Sequence, residues 1–245
     1  MRAILLDLFG TVVHFAPQVP VVEVAGQRWR TTMGWLQEAA ARELPAVAFE
    51  DLLTALMAVT EEITRQRPPE YFEVPSCERF RRALLRVGIE AEKAPALAER
   101  LSLVHMQFLA STTLLPAGYA DALQQLGARY PLALVSNFDH APTAHGILRK
   151  HDIAAHFDPI LISADFGRRK PHPAIFQAAL TRLGLEPGDT VHVGDSVADD
   201  VVGAHNAGIP AVWVNARNES PPPDAPSATV IGSLLELADR LRQRG

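Results

Sequence analysis

Residues Ala3–Leu6 form an unbroken apolar run that stops at Asp7 and is followed by Gly10-Thr11. A short run without polar alternation predicts a strand buried on both faces, here with a tight turn at its carboxyl end. Further runs of this kind cover 132–135, 159–162, 190–193 and Ala211–Val214. Stretches with helical spacing lie between the later runs, at Ala141–Lys150, Pro173–Leu183 and 198–207. Gly184 and Gly208 stand where two of these helices should stop. Strand alternating with helix predicts a doubly wound, parallel α/β sheet.

The stretch from about residue 28 to residue 113 reads differently. It has no convincing strand run and predicts amphipathic helices at 29–42, 49–65, 77–87 and 94–109, punctuated by Pro68-Pro69 and Gly88. The expected organisation is an α/β core of residues 1–15 and 114–245 with a helical unit, 16–113, inserted between. Residues 12–24, with Pro17 and Pro20, would lead into the insertion, and 219–226, with four prolines, would be a surface loop.

Composition narrows the function classes. The 245 residues are 48% hydrophobic and 21% charged, ordinary for a globular protein with a real core. A net charge of −5 argues against nucleic acid as partner. One cysteine, Cys77, leaves no internal disulfide to expect. No apolar run approaches the ~18 residues of a membrane span, and the apolar part of the N-terminus is too short for a signal peptide. The expectation is a cytoplasmic protein without membrane partners. Neither Gly-x-Gly-x-x-Gly nor the phosphate loop Gly-x-x-x-x-Gly-Lys-Ser/Thr occurs, so no dinucleotide is expected.

Ligands of open α/β sheets bind beyond the carboxyl ends of the strands, and four polar clusters fall there. Asp7 with Gly10-Thr11 ends the first strand, and Ser136-Asn137 ends the second. Lys170-Pro171-His172-Pro173 follows the third, and Gly194-Asp195-Ser196-Val197-Ala198-Asp199-Asp200 ends the fourth. Each has an ordinary structural reading: Asp in a turn, Ser-Asn as a helix cap, Lys as a solvated side chain, Asp at a helix N-terminus. Their common placement on one sheet edge favours a site.

Asp7-Leu8-Phe9-Gly10-Thr11, Ser136, Lys170 and Gly194-Asp195 through Asp200 resemble, in order and spacing, the four motifs of the haloacid dehalogenase superfamily. Lys170 through Phe176 and the run from Gly203-Ala204 to Ala207-Gly208 strengthen the resemblance. The inserted helices match that family's helical cap in position only. The resemblance implies a phosphatase acting on a small phosphorylated molecule. Asp7 would be the nucleophile that forms an aspartyl-phosphate. Asp7, Asp195 and the Phe9 carbonyl would hold Mg²⁺. Lys170, Gly10, Thr11, Ser136 and Asn137 would contact the phosphoryl group. Asp200, with Asp199 competing, would orient Lys170 or a metal-bound water.

Phe9 departs from that family's phosphatases, which carry a second Asp there as general acid–base. Such a group contributes ~10²–10⁴-fold, so a phosphatase lacking it should favour good leaving groups or borrow Asp139, His140 or His14. An aromatic residue at this position also resembles 2-haloacid dehalogenases, which displace halide without metal and use an Arg. Arg28, Arg30, Arg65 and Arg67 are available. A third reading is a non-catalytic relative that binds a phospho-ligand or a protein. The site is expected between core and cap, with Trp29, Arg30, Arg65 and Tyr71 as candidate lining residues. Oligomeric state is not legible in the sequence.

Overall fold

The computed structural model describes residues 1–24 and 26–243. In chain order the elements are strands β1 (Ala3–Leu6), β2 (His14–Phe15), β3 (Val21–Val24) and β4 (Gln27–Arg30), then helices α1 (Gln37–Glu43), α2 (Phe49–Gln66), α3 (Ser76–Arg86) and α4 (Ala94–Ser111). Next come β5 (Thr113–Leu114), α5 (Tyr119–Gly127), β6 (Leu132–Ser136), α6 (Ala141–Lys150), β7 (Ile160–Ile162), α7 (Ser163–Phe166) and α8 (Pro173–Leu183). Strand β8 (Thr190–Gly194), helix α9 (Val202–Asn206), β9 (Ala211–Val214), β10 (Thr229–Ile231) and α10 (Leu234–Arg242) complete the described chain.

The chain divides into two compact units. The first comprises Met1–Phe15, Pro69–Glu73 and Leu114–Gly245, and the second Ala16–Pro68 and Val74–Thr113. Residues 25, 244 and 245, on which the expected insertion and core ranges partly fall, lie outside the described residues.

The first unit is a doubly wound α/β fold. Its six-stranded sheet has the order β10-β9-β8-β1-β6-β7, and the strand pairings are parallel. Every residue of β1, β6 and β8 is buried, which is why their sequences read as continuous apolar runs. The winding goes one way from β1 through β6 to β7 and the other way through β8, β9 and β10. Strand order therefore reverses at β1, the position where open sheets leave a crevice beyond the carboxyl ends. Helix α8 covers one face, packing Ile175, Phe176, Ala179 and Leu180 against Leu5, Ala133 and Val135. Gly184 ends that helix with φ +65°.

The second unit has its own core. Leu52, Leu56, Val59 and Ile63 of α2 meet Phe80, Ala83 and Leu84 of α3 and Ala98 and Leu101 of α4. These positions recur at three and four residues, the spacing that lines one helix face. One expectation fails here. Residues 29–42 are not a single helix, because β3 and β4 form an antiparallel hairpin that pairs Val22 with Trp29. Val22 and Val24 are buried while Val21 and Glu23 are exposed, a two-residue period carried by β-branched side chains. Gly26, at φ +73°, supplies the left-handed turn. The Thr31 side chain then accepts a hydrogen bond from the Met33 N–H and starts a 3-10 turn, Thr32–Leu36, that runs into α1.

Candidate active site

Strand β1 delivers Asp7 to the centre of the sheet edge, where its N–H donates to the Val193 carbonyl at 2.9 Å. Lys170 arrives from the loop after α7 and is 1% exposed. Its Nζ donates to Oδ1 of Asp7 and to Oδ1 of Asp200, each at 2.6 Å. Asp200 lies in a single π-helical turn, Val197–Val201, that opens directly after β8. The Ser196 side chain caps this turn by accepting from the Asp199 N–H, and the Ser196 N–H donates to Oδ2 of Asp200 at 2.9 Å.

His192, inside β8, closes the row, with Nε2 2.9 Å from Oδ1 of Asp200. Burial pushes this imidazole below its usual value despite Asp200. A carboxylate only accepts, so Nε2 carries the hydrogen. A histidine inside the run 190–193 was a signal that sequence reasoning passed over.

The charges do not balance. Burial raises the Asp7 carboxyl to about 7; Lys170 pulls against this, while Asp200 and Asp195 add to it. Burial, followed by Asp200, lifts Asp195 to about 6. For Asp200, burial works against ionisation, yet Lys170 and His192 outweigh it and hold the carboxyl well below its usual range. Burial likewise works against charge on Lys170, but Asp200 and Asp7 prevail and keep the ammonium protonated above the ordinary lysine range. Oxygens of Asp7, Asp195 and Asp200 lie within 4.8 Å of one another. One ammonium, Lys170, is shared between Asp7 and Asp200, so three clustered carboxylates carry more negative charge than that lysine offsets. Such a cluster is a hard-oxygen donor set of the kind a divalent cation such as Mg²⁺ fits.

Two glycines are required by close approach. A Cβ on Gly10, which has φ +83°, would lie 2.1 Å from Oδ2 of Asp195. A Cβ on Gly194 would lie 2.1 Å from Cγ of Asp200. Either side chain would displace a carboxylate of the cluster.

Hydroxyls of Thr11 and Ser136 are buried and have no hydrogen-bond partner. Unpaired buried hydroxyls cost stability and are what a bound anion would satisfy. The Asn137 side chain brackets Lys170, accepting from the Lys170 N–H at 2.8 Å and donating to the Lys170 carbonyl at 3.0 Å; the group expected at the phosphoryl oxygens is its backbone N–H. The side-chain amide of Asn137 thus fixes the lysine backbone, a role its motif position did not reveal.

Phe9 is held in a stack. Its ring lies 5.0 Å from that of Phe15, nearly parallel, and 4.7 Å from that of Phe138. Among the candidate substitutes for the missing acid, His140 is bound to Thr143 at 2.8 Å. His14 meets the Tyr119 ring edge-on and has a buried Nε2 without a partner. It lines a cavity of about 260 Å³ together with Gly10, Asp195 and Trp213. Of the lining candidates, Tyr71 falls in the first unit, whereas Trp29, Arg30 and Arg65 fall in the second together with Arg28 and Arg67. No described helix is long and apolar enough to cross a membrane.

Comparison with known proteins places these features. The haloacid dehalogenase-like hydrolase family matches residues 1–208. The Escherichia coli 5-amino-6-(5-phospho-D-ribitylamino)uracil phosphatase YigB is 30% identical over 172 residues, covering 69% of this chain and 67% of that protein. A Thermus thermophilus phosphoserine phosphatase is 32% identical over 158 residues, covering 64% and 61%. The match to these curated relatives thus spans about two thirds of their length or less. A Pseudomonas syringae 2-haloacid dehalogenase superposes over the whole of both chains with a TM-score of 0.73 at 22% identity, a likeness of fold. The protein is a hydrolase, and the chain belongs to the haloacid dehalogenase-like hydrolase family.

Proposed function

We propose that the protein is a Mg²⁺-dependent phosphatase that hydrolyses a small phosphate monoester through an aspartyl-phosphate at Asp7. One observation carries this reading: the buried Asp7 carboxylate meets Lys170 at 2.6 Å, while the buried hydroxyls of Thr11, shortly after β1, and of Ser136, at the end of the adjacent strand β6, lack partners. Curated relatives with phosphatase names support the same class. Asp7, Asp195 and the Phe9 carbonyl would hold the cation, which supplies positive charge beside the phosphoryl oxygens when bound.

The chain's own groups then have defined tasks. The Asp7 carboxylate attacks phosphorus, a P–O(Asp) bond forms, and the ester P–O bond breaks. Water next attacks phosphorus, frees the Asp7 carboxylate and releases inorganic phosphate. Lys170 offsets charge on Asp7 and on the phosphoryl oxygens. Ser136 and Thr11 donate to those oxygens. Asp200 and His192 hold Lys170 in place. Phe9 offers no proton, so the leaving oxygen departs best when it is already a weak base, as in aryl and acyl phosphates.

The aromatic stack at Phe9 favours a second reading, displacement of halide from a 2-haloacid by Asp7 without metal. Hydrolysis of p-nitrophenyl phosphate, with and without Mg²⁺, by wild type and Asp7→Asn separates the two. Turnover that needs both the cation and Asp7 is the expected result. Its absence, together with chloride release from 2-chloropropionate in a chelator, would move the assignment to the dehalogenase. Silence in both assays would leave a binding protein.

A further inference from the structure

The chain returns to the first unit for five residues, Pro69–Glu73, between helices α2 and α3. This segment pairs with the loop that carries Lys170. The Arg169 N–H donates to the Tyr71 carbonyl at 2.9 Å, the Glu73 N–H donates to the Gly167 carbonyl at 3.0 Å, and Phe72 bridges Arg168 in antiparallel sense. The inward group of the segment is its acid. The Glu73 side chain is 1% exposed, whereas Phe72 is 55% exposed and lies under the Arg168 guanidinium at 4.9 Å. If the segment were only a clip, burying the phenyl ring and leaving the carboxylate in water would serve better, because a buried carboxylate is costly unless it is paired and hydrogen-bonded.

The pairing of Glu73 is specific. Its Oε2 accepts from the Ser163 hydroxyl at 2.6 Å and from Arg169 Nη1 at 3.2 Å, and its Oε1 accepts from the same Nη1 at 3.3 Å. The Ser163 oxygen in turn accepts from the Phe138 N–H at 2.9 Å. Its one hydrogen goes to Glu73 in preference to the Phe138 carbonyl, which is 3.3 Å away. The second guanidinium arm of Arg169 lies 3.8 Å from Asp199. One carboxylate therefore ties together three loops at the sheet edge. Phe138 adjoins Asn137, which brackets Lys170; Arg169 adjoins Lys170 itself; Asp199 adjoins Asp200, the second partner of Lys170.

We propose that Glu73 is a positioning residue for Lys170: through Ser163 and Arg169 it locks the backbone that presents the Lys170 ammonium to Asp7. The proposal deepens the phosphatase reading and rests on it only where turnover is measured.

Lys170 is one of three lysines, with Lys93 and Lys150, so its exposure can be followed without any substrate. Intact protein is acetylated with limiting acetic anhydride well below its melting temperature, and the three sites are quantified by peptide mass spectrometry. The variants are Glu73→Gln, which keeps an acceptor for Ser163 but removes the charge facing Arg169, and Ser163→Ala as a second route if Glu73→Gln folds poorly. Leu84→Ala, in the core of the second unit, controls for lost stability. Lys170 should be protected in wild type and in Leu84→Ala. In Glu73→Gln or Ser163→Ala it should label about ten-fold faster, with Lys93 and Lys150 unchanged, and kcat on p-nitrophenyl phosphate with Mg²⁺ should fall about 10–100-fold while KM stays within about two-fold. Unchanged protection of Lys170 overturns the proposal, as does an unchanged kcat in an active enzyme. If wild type shows no turnover, the phosphatase reading falls while the labelling still decides the role of Glu73.

Discussion

The ammonium of Lys170 lies 2.6 Å from the carboxylate of Asp7, and both groups are buried. Removing one partner of such a pair strands the other. Lys170→Met should therefore lose at least about 10²-fold in kcat and lower stability by about 3–5 kcal/mol. Urea denaturation beside steady-state kinetics checks both, and a variant as stable as wild type would contradict the pairing.

Ser136→Ala should behave in the opposite way on stability. The hydroxyl it removes is buried and without a partner, so the melting temperature should hold or rise. Turnover should nonetheless fall about 10²–10³-fold if that hydroxyl donates to the phosphoryl group. A drop in melting temperature with unchanged kcat would place Ser136 in the fold and outside the chemistry.

Phe9→Asp places an acid two residues after Asp7, the proposed nucleophile. Turnover on alkyl phosphates should rise by up to about 10²-fold, with a smaller gain on aryl phosphates. Losing the stack against Phe15 and Phe138 should cost about 1–2 kcal/mol. No preferential gain on poor leaving groups would refute the missing-acid account.

Asp7, at about 7, and Asp195, at about 6, are raised above the ordinary value of 3.8. The unfolded chain loses these protons first, so both groups subtract stability as pH climbs from 3.8 toward 7. A cation that binds the ionised carboxylates reverses this. Saturating Mg²⁺ should raise the melting temperature more at about pH 8 than at about pH 5, and Asp195→Asn should abolish the difference. An equal shift at both pH values would argue against a carboxylate site.

His105, in the second unit, is 3% exposed and bonds Thr32 through Nε2 at 2.9 Å. Burial, reinforced by Arg79, lowers its value from 6.5 to about 4. Stability tied to the neutral ring is whole above 6.5 and is lost as pH falls toward 4. The loss should reach about 3 kcal/mol by urea midpoint. His105→Gln should flatten that part of the profile; if it does not, another group governs acid sensitivity.

Asp7, Ser136 and Asp195 were legible as candidates because each stands at or just after the end of a buried parallel strand, and such strands announce themselves as unbroken apolar runs. The same habit hid the hairpin of β3 and β4. Val21 to Val24 alternates, but β4, Gln-Arg-Trp-Arg, is exposed throughout and carries no apolar period to set against a helix. Glu73 and Ser163 were illegible for a different reason. Their meaning lies in a 2.6 Å contact between residues 90 positions apart; Glu73 follows no apolar run, and Ser163, although it directly follows β7, shows nothing in sequence of its distant partner. Asn137 falls between these cases: its place beside the site was readable, its bond to the Lys170 backbone was not.

The central position of β1 in the sheet also has a kinetic side. Ile4 is registered with Leu132 on one flank and with Val191 on the other. During synthesis the first strand emerges with neither neighbour made, and its apolar residues and their acid wait for most of the chain. Pairings that close such long loops form slowly, and an unpaired apolar strand is open to association with other chains while it waits. Asp7 is thus the first residue of the carboxylate cluster to leave the ribosome, its strand is flanked on both sides only once β8 has been made, and the helical second unit, translated in the interval, can fold around its own core before the sheet is complete.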